Sequence, residues 1–206
     1  MKKVYFFFLL FTAHDLIAQN RLPVFKIPKS VKPDIEKVVS DYYGHFYSLK
    51  GDKIDETAQT IEYKSKLVPQ GALESTITQL KNQVNVYSWQ AVMLTTIEFE
   101  KAAEKYKELF HQLQGSIFIA YAGKQFKLKG EYDSPDDSRS FASSILSPDV
   151  ENKAARRLKI EVAINYLLPD WSVKILVYEK DADEDIRPTE NYDAGLWKVP
   201  DAKVSK

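Results

Sequence analysis

Apolar and polar residues alternate strictly over 157–168. Leu158, Ile160, Val162, Ile164, Tyr166 and Leu168 face one way. Pro169-Asp170 turns the chain, and Trp171, Val173, Ile175 and Val177 alternate on the way back. A period of two bounded by a turn predicts a hairpin with one buried face. The same period runs through "TIEYKSKL", with Ile61, Tyr63, Ser65 and Leu67 opposite Glu62, Lys64 and Lys66. Pro69-Gln70-Gly71 is a turn, and 73–80 and 86–94 predict two further strands. "VYSWQAVML" is apolar on both faces, which places it in the middle of a sheet. Short strands are predicted at 116–121 and 125–130, joined around Ala122-Gly123.

Two stretches carry the helical period instead. Over 95–115, Phe99, Ala102, Ala103, Tyr106, Phe110 and Leu113 form a stripe, with a wet face of Glu and Lys opposite. Thr95 and Glu98 have capping-box spacing, and Gly115 is placed to end the helix. Over 34–50, Ile35, Val38, Val39, Tyr42, Phe46 and Leu49 fall on one stripe. Pro33 suits its first position and Gly51 its end, with Gly44 an internal cost of up to about 1 kcal/mol.

Residues 34–51 align without a gap on 98–115, and six of the eighteen positions are identical. Amphipathic helices share apolar positions by default, so the matched Tyr42/Tyr106, Phe46/Phe110 and terminal glycines carry most of the signal. The expectation is an α+β fold over residues 34–180: one antiparallel sheet with two amphipathic helices on one face, built as two α-β-β-β units. The loop at 131–140 leads into a Ser-rich segment of unassigned type.

The ends follow different rules. "MKKVYFFFLLFTAHDLIAQN" begins with Lys2 and Lys3 and an apolar run from Val4 to Phe11. That run is too short to span a bilayer, which takes about 20 residues, and fits a secretory leader over 1–18, cut between Ala18 and Gln19. Three prolines in 19–33 predict an extended linker. From residue 181 the chain is acidic and aperiodic, which predicts a flexible tail over 181–206.

The chain has 29 basic and 29 acidic side chains and no cysteine. Losing Lys2, Lys3 and Asp15 with the leader leaves 27 basic and 28 acidic groups. Such a balance gives no electrostatic footprint for nucleic acid, and no later stretch predicts a membrane span. Without cysteine the fold must hold by burial, and the usual Cys/His zinc sites are out. His45 and His111 fall near helix ends, where a surface histidine is expected. "DADEDIRPTENY" from Asp181 follows a calcium loop at its first positions but has Ile186 where glycine and Tyr192 where glutamate belong. "DSPDD" at 133–137 reads as a turn. No serine lies in a nucleophile motif, and there is no glycine-rich phosphate loop. No catalytic, metal or cofactor-binding residue is therefore predicted.

Trp89 and Trp171 fall at equivalent places on predicted strands. Two core tryptophans is the plain reading, and an exposed platform for a sugar or peptide is its rival. Trp197, with Tyr192 and Leu196, forms an apolar island in a polar tail and either packs back or docks a partner.

The "YSWQAVMLTT" strand-to-helix junction, the "YKELFHQLQG" helix end and the Ala-Gln cleavage site resemble small exported proteins of Bacteroidetes-type bacteria. That resemblance spans residues 1–180 loosely and implies no catalytic or binding residue. The element order is also similar in topology to type III secretion chaperones, whose cytosolic setting a leader contradicts. The expected function is a secreted or periplasmic, non-catalytic binding protein for an envelope protein or other envelope component. Candidate partner residues are Trp89, Trp171, Tyr192, Leu196 and Trp197. The alternatives are a carboxylate-dependent hydrolase of glycan or peptide, and a small-ligand carrier. A hollow lined by two or more acidic groups would favour the hydrolase.

Overall fold

The computed structural model describes residues 30–83, 85–119 and 125–180. The elements run α1 (Lys32–Tyr42), β1 (Lys50–Glu56), β2 (Thr60–Ser65), β3 (Glu74–Leu80), β4 (Tyr87–Thr96) and α2 (Phe99–Leu113). They continue with β5 (Ile117–Ile119), β6 (Gln125–Lys129), β7 (Phe141–Pro148), α3 (Lys153–Arg157), β8 (Leu158–Leu167) and β9 (Asp170–Glu179). The strands form one antiparallel nine-stranded sheet in the order β1-β2-β3-β4-β9-β8-β7-β6-β5. This is the α+β architecture that the two periods predict. The halves meet along β4 and β9, the last strand of each.

Register assigns the faces. Ile77 lies opposite Trp89, Trp89 opposite Val177, and Val177 opposite Ile160. Ala91, Ile175 and Val162 make the next row. All seven are fully buried, because α2 crosses β4, β9 and β8 on this side. It buries Ala102, Tyr106, Leu109, Phe110 and Leu113. Burial of each large apolar side chain contributes about 1.5–3 kcal/mol, so this contact is the main source of cohesion. Rows such as Ser88–Tyr178–Lys159 and Gln90–Leu176–Glu161 face the other way and stay half-exposed. Side chains pair along that face: Tyr178 donates to Glu161 at 2.7 Å and Gln90 to Thr76 at 3.1 Å.

The sheet curls around its helices. β6 meets β7 at only two residue pairs, so the β5–β6 hairpin swings over to α1. There the Ile119 N–H donates to Glu36, and Lys32 lies 6.0 Å from the Phe118 ring centre. The Val31 N–H donates to the Gln112 side chain, tying the start of α1 to α2.

Several expectations need correction. The first helix ends at Tyr42 rather than near residue 50, and turns follow to Leu49. Gly51 does not stop a helix; it lies in β1, where a Cβ would come within 2.8 Å of the Lys64 carbonyl on β2. The Thr95–Glu98 capping box does not form, because β4 runs on to Thr96, whose hydroxyl accepts the Glu98 N–H instead. Gly115 does take the left-handed backbone of a helix stop, at φ 70°. The unassigned Ser-rich segment is β7, with Ala142, Ser144, Leu146 and Pro148 facing inward. Against two α-β-β-β units, the first gains β1, and the second gains the β5–β6 hairpin and a short α3.

Candidate functional site

Tyrosines gather where α1 gives out. The helix stops at Tyr42, and the chain turns through Tyr43 and Gly44 into two consecutive left-handed residues, His45 and Phe46, both at φ 55°. Side chains other than glycine reach this region at a cost of about 1–2 kcal/mol each. Hydrogen bonds hold the turn, among them those from the Phe46 N–H to the Asp41 carbonyl, the Leu49 N–H to the Asp41 carboxylate, and the Lys50 N–H to the Phe46 carbonyl. The Phe46 ring is fully buried, so core packing fixes the turn and sends Tyr42, Tyr43 and His45 around its rim.

A cleft of about 170 Å³ opens there, lined by Tyr42, Tyr43, His45, Phe46, Asn85, Tyr87, Arg157 and Glu179. Sheet order brings the distant members together. Tyr87 begins β4 and Glu179 ends β9, which runs antiparallel beside it. Leu158 pairs with Glu179 at the start of β8, so the end of α3 delivers Arg157. Asn85, at φ 61°, precedes β4. Among the described residues, the three non-glycine positions with positive φ are thus His45, Phe46 and Asn85, and all three line this cleft. Strained backbone of this kind clusters at functional sites.

The walls are aromatic. Tyr42 meets Tyr43 edge-on at 5.0 Å and Phe46 at 6.0 Å, and His45 lies tilted against Tyr87 at 5.8 Å. Behind the cleft the Lys50 ammonium sits 4.9 Å from the Tyr63 ring centre and 5.0 Å from that of Tyr87. Arg157 pairs with Glu179 at 2.9 Å. Burial pushes the Tyr42 phenol well above its usual range, Glu179 and Tyr43 push it further, and Arg157 opposes them. Burial raises Tyr43 as well. Both phenols therefore stay protonated and can donate at any physiological pH.

Two wider, more open hollows lie elsewhere. One, about 640 Å³, runs over Gln114, Lys127, Lys129 and Glu131. The other, about 410 Å³, lies at the opposite end of the sheet between Ile97, Phe99, Asp137, Tyr166 and Trp171. Each of the three hollows is lined by a single carboxylate: Glu179, Glu131 or Asp137. No group of three or more His, Asp or Glu able to hold a metal occurs among the described residues. Among the same residues, no helix is long and apolar enough to cross a membrane.

The sequence-derived candidates scatter. Trp89 has 0% exposure and its indole N–H donates to Ser65 Oγ at 3.0 Å. A partner cannot reach it without opening the core, so it does not serve as a platform. Trp171 is 7% exposed and wedged between Phe99 and Tyr166, each at 5.0 Å. β4 and β9 are antiparallel, so these two tryptophans lie at opposite ends of the sheet and share no site. Tyr192, Leu196 and Trp197 lie outside the described residues, as do the leader, residues 19–29 of the linker and the acidic loop from Asp181; the linker was expected to run to residue 33, but Lys32 and Pro33 open α1. Asp133 and Asp136 of "DSPDD" are engaged locally, by Arg139 and Ser138. His111 stacks on Tyr132, whereas His45 enters the cleft. Of the cleft's lining, sequence reasoning named only the helical stripe residues Tyr42 and Phe46 and an end-of-helix His45. The visible signal was "DYYGH", an aromatic cluster at a glycine in a helical stripe.

Comparison with protein-family models, with curated proteins and with solved structures finds no match.

Proposed function

We propose that the chain is an exported, non-catalytic binding protein of the cell envelope, with the tyrosine cleft as its ligand seat. The observation that carries this reading is the convergence of Tyr42, Tyr43, His45, Asn85, Tyr87, Arg157 and Glu179 on one small hollow. The three left-handed residues on its rim support it. A concave, largely aromatic hollow with a few convergent polar groups is the usual form of a ligand site. The hydrolase alternative needs two facing carboxylates. The cleft offers Glu179, whose partner at 2.9 Å is a guanidinium. Export rests on the leader-like residues 1–18.

The test places a photoreactive benzoylphenylalanine at Tyr43 in the native host, with the same replacement at Phe141 as control. Phe141 is 55% exposed and lies on a strand far from the cleft. The expected result is a chain beginning at Gln19 in the envelope fraction, with an adduct of one defined mass at position 43 only. A chain retaining Met1 in the cytosol would refute export. Identical labelling at both positions would refute the cleft as the seat.

A further inference from the structure

The charge balance of the cleft bears on what it holds. Its two formal charges, on Arg157 and Glu179, cancel within one pair. Lys50 already lies against the Tyr87 ring. A cationic ligand would thus meet Arg157 in the wall and the field of Lys50 behind Tyr87, with one carboxylate to oppose them, itself paired. An anionic ligand would meet the electron-rich faces of three tyrosines and would have to part Glu179 from Arg157. A neutral ligand faces neither penalty.

The polar groups narrow the class further. Phenolic hydroxyls and an amide donate and accept, the guanidinium only donates, and the carboxylate only accepts. Hydroxyl groups, which do both, match such a mixed rim. The rings offer flat surfaces on which the C–H face of a saturated ring can rest while its hydroxyl edge turns to Asn85, Arg157 and Glu179. The 170 Å³ volume falls below the roughly 300–1,000 Å³ of sites for drug-sized ligands, so it suits one ring rather than an extended chain.

We infer that the tyrosine cleft binds a single neutral sugar ring, free or at the end of a glycan, between its aromatic walls and the Arg157–Glu179 pair. This rests on the cleft being the ligand seat.

The test is a nuclear magnetic resonance titration of the full-length protein with isotope-labelled tyrosine rings. The probes are the methyl glycosides of glucose, galactose, mannose and N-acetylglucosamine, with choline as the cation and benzoate as the anion, each to about 50 mM. At least one glycoside should shift the Tyr42, Tyr43 and Tyr87 rings saturably, with a Kd on the order of 1 mM or tighter. Choline and benzoate should bind at least about tenfold more weakly. Tyr43→Ala should weaken the glycoside at least about tenfold, and Tyr47→Ala, at a position 79% exposed and outside the cleft, should not. If Tyr43→Ala does not fold, Tyr43→Leu keeps the bulk and removes the ring face. Choline or benzoate binding more tightly than every glycoside would overturn the sugar class and leave the seat standing. Shifts that spare the three rings, or glycoside binding indifferent to Tyr43, would overturn the seat. No shift with any of the six probes would overturn both.

Discussion

Ser65→Ala tests whether the packing account of the sheet's buried centre is right. Trp89 is fully buried, and its indole N–H has Ser65 Oγ as acceptor at 3.0 Å. Removing that oxygen leaves a buried donor unsatisfied, at about 1–3 kcal/mol. Ser65 Oγ also accepts the Leu67 N–H at 3.2 Å and donates to the Leu67 carbonyl at 2.9 Å. The carbonyl keeps Ser75 as a donor at 2.6 Å, so the further loss is about 0.5–1 kcal/mol. The expected total is about 1.5–4 kcal/mol, or a melting temperature lowered by roughly 3–16 °C for a chain of this size. In a Trp89→Phe background the indole donor is gone, and Ser65→Ala should then cost only about 1 kcal/mol. The assay is urea denaturation of the four proteins of this cycle, followed by circular dichroism. A coupling energy within about 0.3 kcal/mol of zero would refute the reasoning, because the two side chains would then be independent whatever their distance.

Other outcomes follow from geometry and charge. A Cβ at Gly130 would collide with the Ile145 carbonyl, so Gly130→Ala should cost about 1–3 kcal/mol by thermal melting. Gly44→Ala, where the nearest atom stands 3.5 Å away, should stay within about 0.5 kcal/mol. Ser144 accepts the Asp133 N–H at 2.9 Å and shares a 2.6 Å hydrogen bond with the Tyr106 hydroxyl. The Tyr106 hydroxyl also donates to the Asp133 carbonyl at 3.0 Å, so Ser144→Ala and Tyr106→Phe each remove two hydrogen bonds and should each cost about 1–3 kcal/mol; an unchanged denaturation midpoint in either would contradict this. Lys53 and then Lys81 hold the exposed Glu56 carboxyl down to about 2. Its folded value lies below its unfolded one, so its contribution is present above the unfolded pKa and fades as pH falls through about 2. A side-chain carbon titration should show that low midpoint, and Lys81→Ala should raise it. Burial lifts the Tyr106 phenol up to about 12, above its unfolded value. Its stabilisation is complete below about pH 10 and is lost as pH climbs through 12, which an ultraviolet titration of Tyr106→Phe against the parent chain would reveal.

The sequence announced most clearly what burial on one face imposes. Leu158, Ile160, Val162 and Ile164 alternate because α2 covers one side of β8, and Trp171, Val173, Ile175 and Val177 alternate on β9 for the same reason. β1 stayed hidden because "KGDKIDE" buries nothing deeply. An edge strand is protected by charges that erase its period. β7 stayed hidden because one inward position is Ser144, a polar group tolerated there only because Tyr106 and Asp133 satisfy it. α1 read too long because Phe46 is as apolar as the stripe requires, yet tertiary packing places it in a left-handed turn. The cleft was largely illegible for a further reason. Tyr87, Arg157 and Glu179 meet only through the β4–β9–β8 order, and strand order is not written in any local period.

The β4–β9 seam has a consequence in time. β4 can pair on its second side only when residues 170–179, the last strand of the sheet, exist and arrive. Until then the first half presents a long apolar strand with an open edge, a template for aggregation. Closing a sheet across such sequence separation is also slow compared with forming local helices. The seam thus acts as a late latch, since the β4–β9 pairing waits for residues 170–179. That delay is a hazard for a protein folding where it is made, and an advantage for one that has to be threaded elsewhere first.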